Sequence, residues 1–378
     1  MQPSPLPRAA YVHVPFCRHR CGYCDFPLIA GRDDLIAEYL RALEIELAEV
    51  DGLPELDTLF FGGGTPTHLS PDQLRELFSL VTGTFTLANN VEFSVEANPL
   101  DLTDETIRVL SDVGVTRVSL GAQSFDTEAL TVLERDHQPK DIVDVVERLK
   151  QHGIRNRSID LIFGVPGQSL ETWERTLNAA ITSGVEHVST YGLTYEKGTA
   201  FWKWRASGVL HPTDEETERD IYALAMEILT AAGFEQYEIS NFAREGFACR
   251  HNRVYWEGRE YFGFGPGAAR YLNGTRSTAQ RSVTGWLKRV LAGESGIAES
   301  ETLSREQRAR EAVMLGLRQT AGIHLDTFTD RTGFTLRELA PEAHDRFLRD
   351  GLLEELNGYV RLSREGRFLA DTVTAEFL

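Results

Sequence analysis

The sequence has little that would anchor it in a membrane or cross-link it. It contains no apolar run of about 18 residues, so no segment is predicted to cross a membrane as a helix. Three of its first ten residues are prolines and none forms an apolar segment, so we expect no secretory signal there. Four cysteines in 378 residues are too few for a disulfide scaffold. This composition predicts a cytoplasmic protein whose cysteines serve a metal site.

Basic residues are also scarce relative to acidic ones. The chain has 57 Asp and Glu against 39 Lys and Arg, for a net charge of -18. Phosphate backbones would be repelled overall, so nucleic acid is not expected as a main partner. We interpret the acidity as an aid to solubility. The hydrophobic content of 42% is ample for one large barrel-type domain and a smaller one.

Three of the four cysteines are concentrated on one short loop. Cys17, Cys21 and Cys24 follow one another at spacings of four and three, directly after a predicted strand at residues 11–14. Thiolate sulfur is a soft, anionic ligand, and three thiolates can bind three irons of a [4Fe-4S] cluster. The fourth iron would stay open to a small molecule that carries an amine and a carboxylate.

Two other uses of these cysteines remain open. A zinc site could combine them with His13 or His19, but the chain has no second ligand pair of the usual zinc spacing. Disulfide bonding would leave one of the three unpaired. The spacing therefore favours an iron–sulfur cluster.

Strands and helices are predicted to alternate over the first half of the chain. Parallel βαβ units of this kind require helices over the sheet. Polar and glycine-rich residues follow the strands, at the face where barrels build their sites. Six units are too few for a closed eight-stranded barrel, so the fold class is α/β with an open, partial (β/α)6 barrel. The predicted strands are 11–14, 57–61, 91–96, 117–120, 158–163 and 188–192.

The pattern changes after residue 210. A capping box at Thr213 predicts a helix to about residue 232, followed by a strand at 234–240. Beyond residue 300 the sequence predicts helices starting at Ser304 and at Leu336, then a hairpin through Asn357-Gly358. Helix, helix and hairpin indicate an α+β, winged-helix-like domain. The predicted divisions are a barrel core at 1–210, a barrel extension at 211–300 and the C-terminal domain at 301–378.

The cysteine loop resembles that of the radical S-adenosylmethionine (SAM) superfamily. The Cys-x3-Cys-x2-Cys spacing carries an aromatic residue, Tyr23, before the last cysteine. The flanking Tyr-Val-His-Val-Pro-Phe-Cys at 11–17 is similar to the branch that holds oxygen-independent coproporphyrinogen III oxidase and the heme chaperone HemW. The resemblance covers roughly residues 10 to 375. It implies a partial barrel with a [4Fe-4S] cluster on the three cysteines and SAM on the open iron.

The resemblance also assigns SAM contacts at successive strand ends. The glycine-rich stretch that begins at Gly62 would lie along the methionine amine, since glycines permit close backbone approach. An arginine can pair with the ligand carboxylate, and carboxylate and amide groups can hold the ribose and the sulfonium. The residues that match SAM-contacting positions are Tyr11, Gly63, Gly64, Thr65, Pro66, Glu96, Gln123, Arg135 and Asp160.

Two features separate the branches of this family. The oxidase pattern carries a fourth cysteine two residues after the third, where this chain has Phe26, and an N-terminal extension where this chain has ten residues before the first strand. The His-Asn-x-x-Tyr-Trp motif that begins at His251 is similar to the HemW signature. A neutral imidazole can bind heme iron. A core role for His251 stays open, and Cys249 is interpreted as a buried thiol in preference to a heme contact.

Together these features predict a heme chaperone that carries the cluster and SAM. It would pass heme to an acceptor protein, for which a membrane respiratory component is one candidate. The rival interpretation is an oxygen-independent coproporphyrinogen III oxidase, and a radical SAM enzyme on another substrate is the third. No catalytic residue is assigned, and dimerisation is left open.

Overall fold

The computed structural model describes residues 7–378. Most of the first ten residues, in which no secretory signal is expected, therefore lies outside the described residues. Over residues 7–192 strands alternate with helices, and all six predicted strands are present. The strands are β1 Ala9–Val14, β2 Phe16–Cys17, β3 Ile29–Ala30, β4 Glu55–Gly63, β5 Thr86–Ala97, β6 Arg117–Gln123, β7 Asn156–Phe163 and β8 His187–Gly192. The helices are α1 Ile36–Leu47, α2 Pro71–Thr84, α3 Asp104–Asp112, α4 Thr127–Val132, α5 Pro139–Gln151 and α6 Leu170–Thr182.

The middle of the chain adds short strands and four helices. It begins with α7 Ala200–Ala206 and α8 Glu215–Ala231. The elements that follow are β9 Glu235–Gln236, β10 Asn241–Ala243, α9 Arg250–Trp256, β11 Phe262–Phe264, β12 Ala269–Leu272, β13 Thr275–Ala279, α10 Val283–Leu291 and β14 Ile297–Thr302. The strands β12, β13 and β14 form a separate antiparallel sheet.

The main sheet has nine strands in the order β11-β1-β4-β5-β6-β7-β8-β10-β9. Its six central strands run parallel and follow the chain order, as right-handed βαβ units require. The strand β11 extends this parallel array beside β1, whereas β10 and β9 close the other edge antiparallel. The fold is therefore the open, partial barrel that the alternation predicted, with extra strands at both edges.

The C-terminal part is a small α+β domain, as predicted. Its three-stranded antiparallel sheet has the order β15-β17-β16. The predicted hairpin is present, with Asn357 and Gly358 both at positive φ, as a tight type I′ turn requires. Its elements are α11 Arg305–Leu317, β15 Ile323–His324, α12 Leu325–Thr332, α13 Leu336–Leu339, α14 Pro341–Arg349, β16 Leu353–Leu356, β17 Tyr359–Leu362, α15 Arg364–Phe368 and α16 Ala370–Ala375.

The described residues form two large apolar cores. The first packs both faces of the main sheet and draws on residues between Ala10 and Val290. The second lies within the C-terminal domain, between Ala309 and Phe377. The half-buried Ile239 packs against both. The divisions placed at residues 210 and 300 stay predictions.

Three local predictions were wrong. The helix expected from 336 to 349 breaks at Pro341, which has no backbone N–H to continue it and disfavours helical geometry at Ala340. The helix expected to be capped by Thr213 is capped one residue later, where Asp214 accepts from the backbone N–H of Thr217. The strand expected at 234–240 is only two residues long before the chain bends.

Within residues 7–378, no helix is both long enough and apolar enough to span a bilayer.

Candidate functional site

The predicted site residues gather at the carboxyl ends of the central strands. The cysteine loop follows β1, the glycine turn follows β4, and Glu96, Gln123 and Asp160 lie on β5, β6 and β7. Backbone hydrogen bonds fasten the glycine turn to the cysteine loop. Gly64 N–H donates to the Val14 carbonyl, and Thr65 N–H donates to the Phe16 carbonyl, both at 2.8 Å. The sheet therefore brings the two predicted binding loops into one place.

A chain of polar contacts connects two of the cysteines. Cys17 Sγ lies 3.2 Å from the Thr65 hydroxyl, which accepts from Asn98 Nδ2 at 3.2 Å. Asn98 Oδ1 accepts from Arg135 Nη2 at 2.6 Å, and Arg135 Nη1 reaches Cys21 Sγ at 3.6 Å. Arg135 Nη2 also donates to the Gly121 carbonyl. A cationic guanidinium is thus placed beside a loop of potential thiolates, which it would stabilise.

The three loop cysteines are free thiols. Burial raises the pKa of Cys17 to about 11 and raises the pKa of Cys24 as well. Binding of a metal cluster would therefore have to release protons from these thiols. Among residues 7–378, no three Cys, His, Asp or Glu side chains are grouped closely enough to hold one metal ion. Ligands of three different irons need not converge on one point, so the donor set fits a cluster.

The loop is held from the other side by Glu134. Its carboxylate accepts from the backbone N–H of Gly22 at 2.7 Å and lies 3.1 Å from His19 Nε2. Glu134 has a φ of 55°, and Gln123 has a φ of 64°. Residues other than glycine are uncommon in this left-handed region, and such strain is often found at functional sites. Gln123 is itself a predicted SAM contact, and Glu134 directly precedes another, Arg135.

The glycine turn has no room for side chains. Gly63 has a φ of 108°, and a Cβ there would lie 2.4 Å from the His13 ring. A Cβ at Gly64 would lie 2.7 Å from the Phe16 carbonyl oxygen. Thr65 and Pro66, which follow, are both buried. The turn therefore packs against β1 and the cysteine loop at distances that only glycine allows, and its contact with the methionine part of SAM stays a prediction from the resemblance.

Two carboxylates lie behind this turn. Glu96 accepts from the Gly63 N–H at 2.9 Å, and Asp160 accepts from the Ser119 hydroxyl at 3.1 Å. Burial, together with the charge of Asp160, raises the pKa of Glu96 to about 7. Burial also raises the pKa of Asp160. A pair of half-buried carboxyl groups of this kind favours a cationic ligand.

Tyr11 is oriented by a histidine on the same strand. His13 Nε2 lies 2.7 Å from the Pro27 carbonyl, which can only accept, so Nδ1 is free to accept from the Tyr11 hydroxyl at 3.0 Å. Burial lowers the pKa of His13 to about 4, so this imidazole is neutral. Tyr11 therefore stands in the barrel interior with a fixed hydroxyl.

The His-Asn-x-x-Tyr-Trp motif forms helix α9. Glu92 accepts from the backbone N–H groups of Arg250 and His251 at 2.8 and 2.9 Å, which satisfies the start of the helix. His251 is 1% exposed, and burial lowers its pKa to about 3. Its Nδ1 lies 2.9 Å from the Thr58 hydroxyl, and its Nε2 lies 2.8 Å from the Tyr255 hydroxyl. An iron ligand at His251 would have to replace one of these bonds, and its role in heme binding stays a prediction.

Aromatic contacts connect this motif to strands β4 and β1. The His251 ring stacks on Phe60 at a centroid distance of 5.1 Å, and Phe60 lies 6.1 Å from Tyr11. The neighbouring Cys249 is buried, with its thiol 3.5 Å from a Glu92 oxygen. The motif is therefore packed against the strands that carry the predicted SAM contacts.

Sequence reasoning missed three residues of this arrangement. Asn98 and Glu134 hold the cysteine loop, and Phe60 joins the motif to Tyr11. Asn98 had a usable signal, because it follows the end of a predicted strand. Glu134 and Phe60 had none, since a charged residue in a loop and an apolar residue in a strand are ordinary.

Known families match both parts of the chain. The radical SAM superfamily matches residues 11–180, and the HemN C-terminal domain matches residues 303–369. A solved structure described as coproporphyrinogen III oxidase (HemN) from Escherichia coli superposes with a TM-score of 0.86 at 22% identity, covering 98% of this chain and 90% of that one. The fold is thus that of the radical SAM class.

Similar proteins narrow the class further. The heme chaperone HemW of Bacillus subtilis is 38% identical, covering 98% of this chain and 99% of its own. The heme chaperone HemW of Mycobacterium tuberculosis is 37% identical, covering 98% and 95%. Radical S-adenosyl methionine domain-containing protein 1, mitochondrial, of Danio rerio is 31% identical, covering 97% and 86%. The chain belongs to the HemW family of radical SAM proteins.

Proposed function

We propose that this chain is a heme chaperone that binds a [4Fe-4S] cluster, SAM and heme and passes the heme to an acceptor protein. The observation that carries the proposal is helix α9, whose His-Asn-x-x-Tyr-Trp motif packs through Phe60 onto Tyr11 of β1. Full-length similarity to proteins named heme chaperone HemW supports it.

The cluster and SAM each have a group of residues suited to them. Cys17, Cys21 and Cys24 would hold the cluster, with Arg135 beside them. A reduced cluster of this type supplies one electron to bound SAM. The bare backbone at Gly63 and the carboxylate of Glu96 would hold the methionine amine. The remaining contacts would come from Tyr11, Gly64, Thr65, Pro66, Gln123, Arg135 and Asp160.

The rival function is oxidative decarboxylation of coproporphyrinogen III. It is disfavoured because Phe26 stands where the oxidase pattern carries a fourth cysteine, and this apolar side chain is 57% exposed. The acceptor protein, dimerisation and a cytoplasmic location stay predictions from the sequence.

One experiment separates the two functions. The protein is reconstituted anaerobically, its [4Fe-4S] content is measured, and the sample is divided. One half receives hemin and is followed by the Soret band, and the other receives coproporphyrinogen III, SAM and a reductant and is assayed for protoporphyrin. We expect a stoichiometric Soret shift and no product. Product over many turnovers would contradict the chaperone function and support the oxidase.

A further inference from the structure

A cavity of about 770 Å³ lies between the motif helix α9, the strands β12 and β13 and helix α11 of the C-terminal domain. We call it the motif pocket. Its size lies within the range of roughly 300 to 1,000 Å³ that is typical of small-molecule sites. It reaches Tyr11 of the barrel and Tyr255 and Trp256 of the motif. None of the predicted roles accounts for its other walls.

The pocket is strongly basic in an acidic protein. Its lining includes five arginines and one acidic residue, Glu311, whereas the whole chain has a net charge of -18. The arginines are Arg259, Arg276, Arg305, Arg308 and Arg331. Because the chain as a whole is acidic, this local concentration of positive charge indicates an anionic ligand.

The arginines differ in whether their guanidinium groups already have acidic partners. Arg276 pairs with Glu311, and Arg259 pairs with Glu257. Arg305 Nε donates to the Thr332 carbonyl at 2.7 Å, which leaves the rest of its guanidinium without an acidic partner. The exposed Arg308 lies over Gly274, and its guanidinium makes no ion pair or hydrogen bond to another residue in the 7–378 range. Arg305 and Arg308 therefore offer donors to a ligand.

Helix α11 presents these two arginines together. Arg305 and Arg308 are three residues apart, and Ala312 and Leu315 continue the same face of the helix into the pocket. A neighbouring face of the helix packs into the C-terminal core through Val313. One wall of the pocket is thus charged at its mouth and apolar farther in.

Aromatic side chains form the facing wall. The rings of Tyr255 and Tyr261 meet edge to face at 4.7 Å, and Tyr271 also lines the cavity. All three are half-buried. Trp256 contributes a buried Nε1 that has no partner among the described residues. Such walls suit a large, flat, apolar ring system.

We propose that the motif pocket is the heme site of this chain, with the ring system against the tyrosines and the propionate carboxylates bound by Arg305 and Arg308. This inference rests on the proposed function and assigns it a place. Carboxylates and arginines form charge-assisted, bidentate hydrogen bonds, and the exposed arginines lie at the mouth, where the ionised ends of the ligand stay in water. In this arrangement Tyr255 contacts the ring, and His251 acts on the ligand through Tyr255.

The test compares Arg308→Glu and Arg308→Ala with Arg175→Glu. Arg175 is an exposed arginine of α6 outside the pocket, so its variant carries the same charge change as Arg308→Glu. Full-length, cluster-reconstituted proteins are titrated with hemin, with hemin dimethyl ester, whose carboxylates are blocked, and with coproporphyrin III. Thermal unfolding confirms that each variant is folded.

We expect Arg308→Glu to weaken hemin binding about tenfold and Arg308→Ala by less, with Arg175→Glu unchanged. The unsubstituted protein should bind the dimethyl ester more weakly than hemin. The Arg308 substitutions should leave the affinity for the dimethyl ester unchanged. Equal hemin affinity in all variants, with hemin bound by the unsubstituted protein, would overturn the pocket assignment and leave the chaperone function standing. Failure of the unsubstituted protein to bind hemin would overturn both, and tighter binding of coproporphyrin III would reject heme as the occupant.

Discussion

The carboxylate of Glu96 accepts a hydrogen bond from the backbone N–H of Gly63 at 2.9 Å, so the end of β5 supports the glycine turn at the end of β4. The same carboxyl group feels the charge of Asp160 from β7. The strands β4, β5 and β7 of the main sheet thus place a glycine turn and two half-buried carboxyl groups around one volume. Positive charge there would be attracted, which suits the amine and sulfonium of SAM.

This arrangement predicts a pH dependence of stability. Burial and Asp160 raise the pKa of Glu96 from 4.5 to about 7, so the folded protein binds more protons than the unfolded one between these values. Stability should therefore fall as pH rises through that window, by on the order of 3 kcal/mol for this group. The pKa of the half-buried Asp160 is raised too, so this group adds a slope of the same sign. Urea denaturation of the metal-free protein at pH 5 and pH 7 measures the effect.

The matched variants are Glu96→Gln and Glu76→Gln. Glutamine at 96 keeps the shape and removes the titrating proton, so the difference in unfolding free energy between pH 5 and pH 7 should shrink. Glu76 is exposed on α2, and its variant should retain the full difference. An unchanged pH dependence in Glu96→Gln would show that Glu96 is not the group responsible.

A second prediction concerns the glycine turn. Gly63→Ala should destabilise the protein by about 2 to 4 kcal/mol, because alanine is strained at a φ of 108° and its Cβ would overlap the His13 ring. Gly83→Ala is the control, since Gly83 lies in helix α2 with open space around its Cβ position. That variant should gain up to about 1 kcal/mol. Chemical denaturation compares the two, and equal stability would contradict the close packing at Gly63.

A third prediction separates the loop cysteines from the remaining one. Cys21→Ala should abolish the charge-transfer absorbance of the reconstituted [4Fe-4S] cluster and lower bound iron, while the circular dichroism spectrum stays native. Cys249→Ala should retain the cluster, because Cys249 lies at the start of α9 beside Glu92, away from the loop. Retained iron and absorbance in Cys21→Ala would remove that residue from the ligand set.

The barrel was predictable because its strands are long and apolar and alternate with amphipathic helices. The edge strands β9, β10 and β11 were not, since two or three residues carry no readable periodicity. The break at Pro341 could have been read from proline chemistry, but the apolar spacing continues across it. Long-range pairing rather than local pattern decides such short elements.

The candidate site was likewise predictable only in part. The loop cysteines and the glycine turn carry local spacing that chemistry can interpret directly. The contact of His251 with Phe60 joins residues 191 positions apart, and the arginines of α11 are indistinguishable in sequence from a solvated helix face. Only the packing of the C-terminal domain against α9 brings Arg308 and Tyr255 into one cavity.

A last prediction tests how His251 acts on heme. Both of its ring nitrogens are within hydrogen-bonding distance of protein hydroxyls, and Nε2 holds Tyr255 at the edge of the motif pocket. We therefore expect His251→Ala to lower hemin affinity about threefold to tenfold without moving the Soret maximum. Tyr255→Phe keeps the ring and removes the hydroxyl that His251 orients, so it should lower hemin affinity by less than His251→Ala does. Replacement of an axial ligand changes the electronic state of the iron, whereas repositioning of a neighbouring tyrosine does not. An altered Soret position or electron paramagnetic resonance signal in His251→Ala, but not in Tyr255→Phe, would therefore make the imidazole the iron ligand.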